Sequence, residues 1–252
     1  MTTTATAPSC CTLPPIATNY VAKGEVVTLG DLNVYIVGEK GNNAILINYD
    51  IFGDHINTRR VADLLSSHGF RVALPDLCRG NPWPGSIWPP PGGFPQVMEH
   101  IRKNASFPSV ERDMKTTREY LATEGFQSFG LVGFCWGGVN VALLSQDSAY
   151  KAGAIIHSGA FSLEDAAKVS SPLLIMPAGD DAREIFDPIF EVVVKKNPAS
   201  KMRRFDDVHH GFCASRFGSS SIKDSSADLV IQRANEAVEE AANFFKANLR
   251  EE

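Results

Sequence analysis

Short apolar runs alternate with longer amphipathic ones along this chain. Val26–Leu29 and Leu32–Val37 are strand-like and are joined by Gly30-Asp31, a two-residue hairpin signal. Ala44–Asn48 is continuously apolar up to its last residue, as a strand buried on both faces should be. Thr58–His68 places Val61, Leu64, Leu65 and His68 at helical spacing and stops at Gly69. Arg71–Leu74 reads as the next strand, closed by Pro75-Asp76.

The alternation resumes further on. Helices are expected over Val110–Thr123, Gly138–Leu144, Asp187–Lys196 and Ser226–Leu249, and strands over Phe129–Phe134, Ala152–Ile156, Leu173–Met176 and Lys201–Phe205. Repeated β-α-β order predicts an α/β protein with a mainly parallel sheet of about eight strands, an antiparallel hairpin at one edge and helices on both faces. No linker divides the pattern, so residues 20–252 are expected to form one domain behind an N-terminal extension of residues 1–19.

The segment Gly80–Pro95 breaks the alternation. Ten of its sixteen residues are Gly or Pro, with Trp83, Ile87, Trp88 and Phe94 interleaved. Stiff backbone carrying exposed aromatics suits a lid or pocket rim, which makes Trp83, Trp88 and Phe94 candidates for substrate contact.

With 44% hydrophobic and 21% charged residues the chain can bury a substantial core. Its 24 Lys+Arg against 29 Asp+Glu give a formal charge of −5, which argues against nucleic-acid or anionic-membrane partners. No apolar run is long enough to span a bilayer. The first fifteen residues read as neither secretory signal nor transit peptide. Five cysteines, an odd number, suggest neither a disulfide framework nor a structural zinc site. A cytoplasmic protein without metal or cofactor is expected, monomeric or homodimeric.

The candidate chemistry begins at Gly133-Phe134-Cys135-Trp136-Gly137-Gly138, between a strand and a helix. This is the setting of a nucleophile elbow, with Cys where Ser usually stands. The tight turn requires small residues two before and two after the nucleophile, and Gly133 and Gly137 supply them. The helix start places N–H groups and the dipole where they favour a thiolate. A base is expected after the last strand, at His209 or His210, with His157 as competitor. An acid is expected after Leu173–Met176, at Asp180 or Asp181, where it would hold the imidazole's tautomer. Oxyanion donors would be the N–H of Trp136 and that of Ile51, in the loop Tyr49-Asp50-Ile51-Phe52-Gly53. A carboxylate at Asp50, beside an oxyanion site and a thiol, needs a role of its own.

Together these residues resemble the dienelactone hydrolase family, a branch of the α/β-hydrolase fold with a cysteine nucleophile. The resemblance runs from Tyr20 onward. It rests on Asp50-Ile51-Phe52-Gly53, Pro75-Asp76-Leu77, the glycine-flanked Cys135 motif, Gly179-Asp180-Asp181 and His209-His210-Gly211-Phe212. Ser9-Cys10-Cys11 and the Tyr49–Gly53 segment are similar to fungal members in particular. The resemblance implies Cys135 as nucleophile, Asp181 as acid, because the family's acid stands two residues after the glycine, and His210 as base. It places Asp50 where the family has a thiol-modulating glutamate. It also implies arginines for a substrate carboxylate, for which Arg79 and Arg216 are nearby in sequence. The expected substrate is a small lactone or activated ester. The rival expectations are acyl transfer or isomerisation on the same scaffold, and binding without turnover.

Overall fold

The computed structural model describes residues 13–218 and 227–249; the Cys10-Cys11 pair and the expected helix start at Ser226 lie outside the described residues. The opening hairpin forms as expected. Strands β1 (Glu25–Leu29) and β2 (Leu32–Val37) pair antiparallel with Leu29 opposite Leu32. Gly30 supplies the left-handed φ of 68° that the two-residue turn requires.

The remaining elements follow in β-α order. They are β3 (Asn43–Asn48), α1 (Ile56–Ser66), β4 (Arg71–Pro75), α2 (Gly93–Asn104), α3 (Phe107–Thr123) and β5 (Ser128–Phe134). Then come α4 (Trp136–Leu144), β6 (Tyr150–Ile156), α5 (Leu163–Lys168), β7 (Leu173–Met176), α6 (Arg183–Lys196), β8 (Lys201–Met202) and α7 (Ala227–Asn248). One eight-stranded sheet runs β1-β2-β4-β3-β5-β6-β7-β8. From β4 to β8 neighbouring strands are parallel, and β2 is antiparallel to both its neighbours. This is the expected α/β architecture, a mainly parallel sheet with an antiparallel hairpin at one edge.

Two glycines of β5 show how the sheet is layered. A Cβ on Gly130 would strike the Phe245 ring of α7, whereas one on Gly133 would strike the backbone of Gly137 and Gly138 in α4. Residues an odd number apart on a strand face opposite ways, so α7 and α4 cover opposite faces. Helix α1 joins α7 on its side, and α4 is followed by α5 and α6 in contact on the other. The core strands β3, β5 and β7 are accordingly buried along nearly their whole length.

Several boundaries differ from the expectation. Gly93–Asn104 is a helix, so the Pro/Gly-rich segment ends inside an element; Val97 and Ile101 give it a narrow buried stripe. Helix α5 has a Ser162 cap but only Ala166 fully buried, too little apolar periodicity to stand out. Strand β8 stops at Met202, leaving an isolated bridge between Ala178 and Phe205. The N-terminal extension is not separate from the domain over its described part. The Ile16 N–H donates to the Ser215 carbonyl at 3.0 Å, and the Ile16 carbonyl accepts Asn57 Nδ2 at 3.1 Å.

Candidate active site

The elbow sits at the carboxyl end of β5, where the chain turns straight into α4. Cys135 takes φ 54°, ψ −117°, a conformation that side-chain-bearing residues rarely adopt. Neighbouring backbone holds it there: its carbonyl accepts the N–H groups of Gly138 at 3.1 Å and Gly159 at 2.9 Å. The requirement for small flanking residues is steric. A Cβ on Gly137 would lie 2.2 Å from the Asn48 carbonyl oxygen and 2.4 Å from that of Tyr49. The start of α4 is therefore pressed against the end of β3 and the loop that follows it.

His210 and Asp181 converge on this turn. Asp181 Oδ1 lies 2.7 Å from His210 Nδ1, and Oδ2 accepts the Ala178 N–H at 2.8 Å, which fixes the carboxylate. Asp180 serves the same histidine differently, accepting its backbone N–H at 2.6 Å. His210 is buried, and burial alone disfavours its charge. The negative charges of Cys135 and Asp181, with the hydrogen bond to Asp181, outweigh that and raise its pKa well above the ordinary imidazole value. The thiol acts on the ring through its charge, and Nε2 has no hydrogen-bond partner among the described residues. His209 faces elsewhere, its Nδ1 2.8 Å from the His210 carbonyl oxygen.

His157, the competing histidine, directly follows β6 at φ 38° and is completely buried. Its ring lies 5.0 Å from that of His210 and packs on Phe134 and Phe212. Neither nitrogen has a partner among the described residues. Burial, with repulsion from His210, pushes its pKa well below the usual value.

The loop after β3 carries Ile51, whose side chain is buried. No described acceptor takes the N–H of Ile51 or Trp136, as oxyanion donors require. The Tyr49 and Trp136 rings, 6.1 Å apart, bring this loop to the elbow. Asp50 is buried but its carboxylate is turned to Phe52 and Ser215, with no hydrogen bond to the sulfur.

The other candidates divide. Arg216 is buried, with its guanidinium 5.1 Å from the Phe52 ring and 5.4 Å from that of Trp88, and its Nη1 would meet a Cβ on Gly211. Trp88 also meets Phe52 edge-on. These groups therefore border the loops of Ile51 and His210. Trp83 is an anchor and not an exposed rim residue: it is buried, its Nε1 donates to the Ile87 carbonyl, and its N–H donates to that of Ile51. Phe94 packs half-buried against the core. The Arg79 guanidinium is held by Asp113 and Asp31, the Asp113 contact at 2.7 Å. Sequence reasoning missed Ser215, whose hydroxyl has no local signal because its partner is Asp50.

Among the described residues no group of His, Cys, Asp and Glu side chains is arranged to hold a metal, and no helix is long and apolar enough to cross a membrane.

Comparison with known proteins agrees with this architecture. Residues 32–249 match the model of the dienelactone hydrolase family. The chain is 30% identical over 241 residues to an uncharacterized AIM2 family protein of Schizosaccharomyces pombe, covering 91% of this chain and 93% of that one. It is 29% identical over 168 residues to the human carboxymethylenebutenolidase homolog, covering 64% and 66%. A crystal structure of a putative dienelactone hydrolase from Klebsiella pneumoniae superposes with a TM-score of 0.65 at 17% identity, over 82% of this chain and 92% of that one.

Proposed function

Because the chain belongs to the dienelactone hydrolase family, we propose that it hydrolyses lactones or activated esters through an acyl-thioester on Cys135, with His210 as base and Asp181 as its orienting acid. The observation that carries this reading is the convergence at one turn. A strained cysteine at the end of β5 lies beside an imidazole whose other nitrogen is held 2.7 Å from a buried carboxylate.

His210 Nε2 takes the thiol proton as the sulfur attacks the substrate carbonyl. The oxygen of the tetrahedral intermediate becomes negative and is held by the N–H groups of Ile51 and Trp136. Charge from Asp181 lets His210 keep the proton until the carbon–oxygen bond breaks, when the proton passes to the leaving alkoxide. In a lactone this alkoxide stays tethered to the acyl group. Water then loses a proton to His210, attacks the thioester, and the thiolate departs, leaving the carboxylic acid. Asp181 holds the ring in the tautomer both steps need.

Sulfur chemistry narrows the substrate class. A thiolate leaves a tetrahedral intermediate more readily than an amide nitrogen does, so amides revert and esters with good leaving groups go forward. Trp88 and Phe52 offer aromatic surface beside the Ile51 loop, which suits an apolar or aromatic acyl group; Arg216 adds positive charge there. Trp83, Phe94 and Arg79 act as supports in this reading.

Intact mass spectrometry after mixing with a lactone panel tests the proposal. A substrate lactone should add its full mass to the protein at Cys135, since ring opening loses no atoms. Turnover with no adduct in wild type, and with undiminished rate in Cys135→Ala, would overturn it.

A further inference from the structure

Asp50 immediately precedes the residue whose N–H is assigned to the oxyanion. A carboxylate aimed into that position would oppose the charge developing there. The structure turns it aside and uses both its oxygens. Oδ1 accepts the Phe52 N–H at 2.9 Å, closing a side-chain turn around Ile51. The ring of atoms so closed contains the peptide bond between Asp50 and Ile51, and the direction of the Ile51 N–H is fixed with it. The backbone carbonyl of Asp50 accepts the Gly53 N–H at 3.1 Å, tightening the same turn.

Oδ2 reaches across the chain. It accepts the Ser215 hydroxyl at 2.5 Å and the Ser215 N–H at 3.3 Å, with Asp50 and Ser215 both buried. Ser215 lies in the turn-rich segment that follows His210. That residue is itself held, its carbonyl accepting the Ile16 N–H at 3.0 Å and Asn57 Nδ2 at 3.2 Å. The loop bearing one oxyanion donor and the segment bearing the base are thereby tied through one carboxylate.

We propose that Asp50 is a positioning residue that locks the Ile51 N–H against the His210 segment through Phe52 and Ser215, and does not tune the Cys135 thiol. The assignment rests on the hydrolase reading above. It accounts for a buried carboxylate beside a site of negative charge: three N–H and O–H donors face its oxygens, so its charge is spent on the backbone and not on the reaction.

Two rates separate positioning from thiol tuning. Ester turnover requires the oxyanion donors; alkylation of Cys135 by iodoacetamide is displacement at carbon and does not. Asp50→Asn and Ser215→Ala are compared with wild type for p-nitrophenyl acetate turnover and for the pH profile of alkylation, after a melting curve confirms each fold. Asp50→Asn should lower kcat by about tenfold or more and Ser215→Ala by a smaller factor in the same direction. Alkylation rates and their pH midpoint should stay at the wild-type values in both. A shifted alkylation midpoint in either variant, or unchanged kcat in Ser215→Ala, would overturn the assignment. A wild type that is alkylated at Cys135 yet turns over no ester sinks the hydrolase reading and this one with it, whereas an active wild type with unaltered variants sinks this one alone.

Discussion

The Nδ1 of His210 lies 2.7 Å from Oδ1 of Asp181, and the two side chains are only 6% and 7% exposed. In so dry a setting the carboxylate does more than orient the ring. Burial pulls the imidazole towards neutrality, and the charges of Cys135 and Asp181 reverse that, leaving its pKa well above the ordinary value.

Asp181→Asn therefore has two expected effects. An amide at this position permits the wrong imidazole tautomer, so kcat should fall by about a hundredfold or more. Loss of the carboxylate charge also lowers the His210 pKa, and because His210 must be neutral to take the thiol proton, the acid limb of kcat/KM should move to lower pH. The linkage has a definite sign. A raised folded-state pKa contributes stability that is full below about pH 6.5, the unfolded value, and is lost as pH rises through the folded value. Asp181→Asn should diminish that contribution, and urea titrations at a series of pH values would show it.

The strain at Cys135 is separable from its chemistry. Cys135→Ala and Cys135→Gly both remove the sulfur, and both should abolish p-nitrophenyl acetate turnover. At φ 54°, ψ −117° alanine keeps the unfavourable conformation while glycine does not. Cys135→Gly should accordingly be more stable than Cys135→Ala by about 1 kcal/mol, read from urea unfolding of the two inactive proteins. Equal stability would mean the turn is not strained.

The glycines divide in the same manner. Gly137→Ala puts a Cβ 2.2 Å from the Asn48 carbonyl oxygen, and backbone cannot yield as a side-chain tip can. Forced separation of α4 from the end of β3 should cost about 2 kcal/mol or more and most of the activity. Gly30→Ala meets nothing within 4 Å and has only its φ of 68° to contend with. It should cost about 1 kcal/mol and leave kcat unchanged.

What the sequence makes legible follows from the range of the forces involved. The Gly30-Asp31 turn, the buried strand β3 and the glycines around Cys135 are local steric and periodic constraints, and each is readable from a short window. Helix α2 is not, because it starts in Gly92-Gly93-Phe94-Pro95 and only Val97 and Ile101 are fully buried. The choice between His209 and His210 depends on which ring reaches Asp181, and the two roles of Asp180 and Asp181 are likewise set by the same tertiary contact. Ser215 as the partner of Asp50 spans 165 residues, and no local pattern encodes it. The inward turn of Trp83 and the pairing of Arg79 with Asp113 are also tertiary, and no local pattern shows them.

The completely buried His157 leads to the last expectation. Its ring, 5.0 Å from that of His210, has neither nitrogen hydrogen-bonded among the described residues, and its pKa is well below the usual value because of burial and then His210. A second positive charge beside a protonated His210 in this interior would be strongly unfavourable, so His157 stays neutral in the fold. On unfolding it gains water and takes up a proton whenever the pH is below about 6.5. The unfolded state then binds more protons than the folded one, and stability falls with falling pH by about 1.4 kcal/mol per unit for this group. His55 and His209 have lowered values too, each with burial as the largest cause, and add to the same slope. His157→Asn removes the titration while retaining a residue that tolerates φ 38°. Its unfolding free energy at neutral pH should be lower, because the smaller side chain leaves space between Phe134 and Phe212. Between pH 6.5 and 5 its decline should be shallower than that of wild type by roughly one proton's worth. Parallel slopes in the two proteins would show that His157 is protonated in the folded state, and that the ring beside His210 carries a charge.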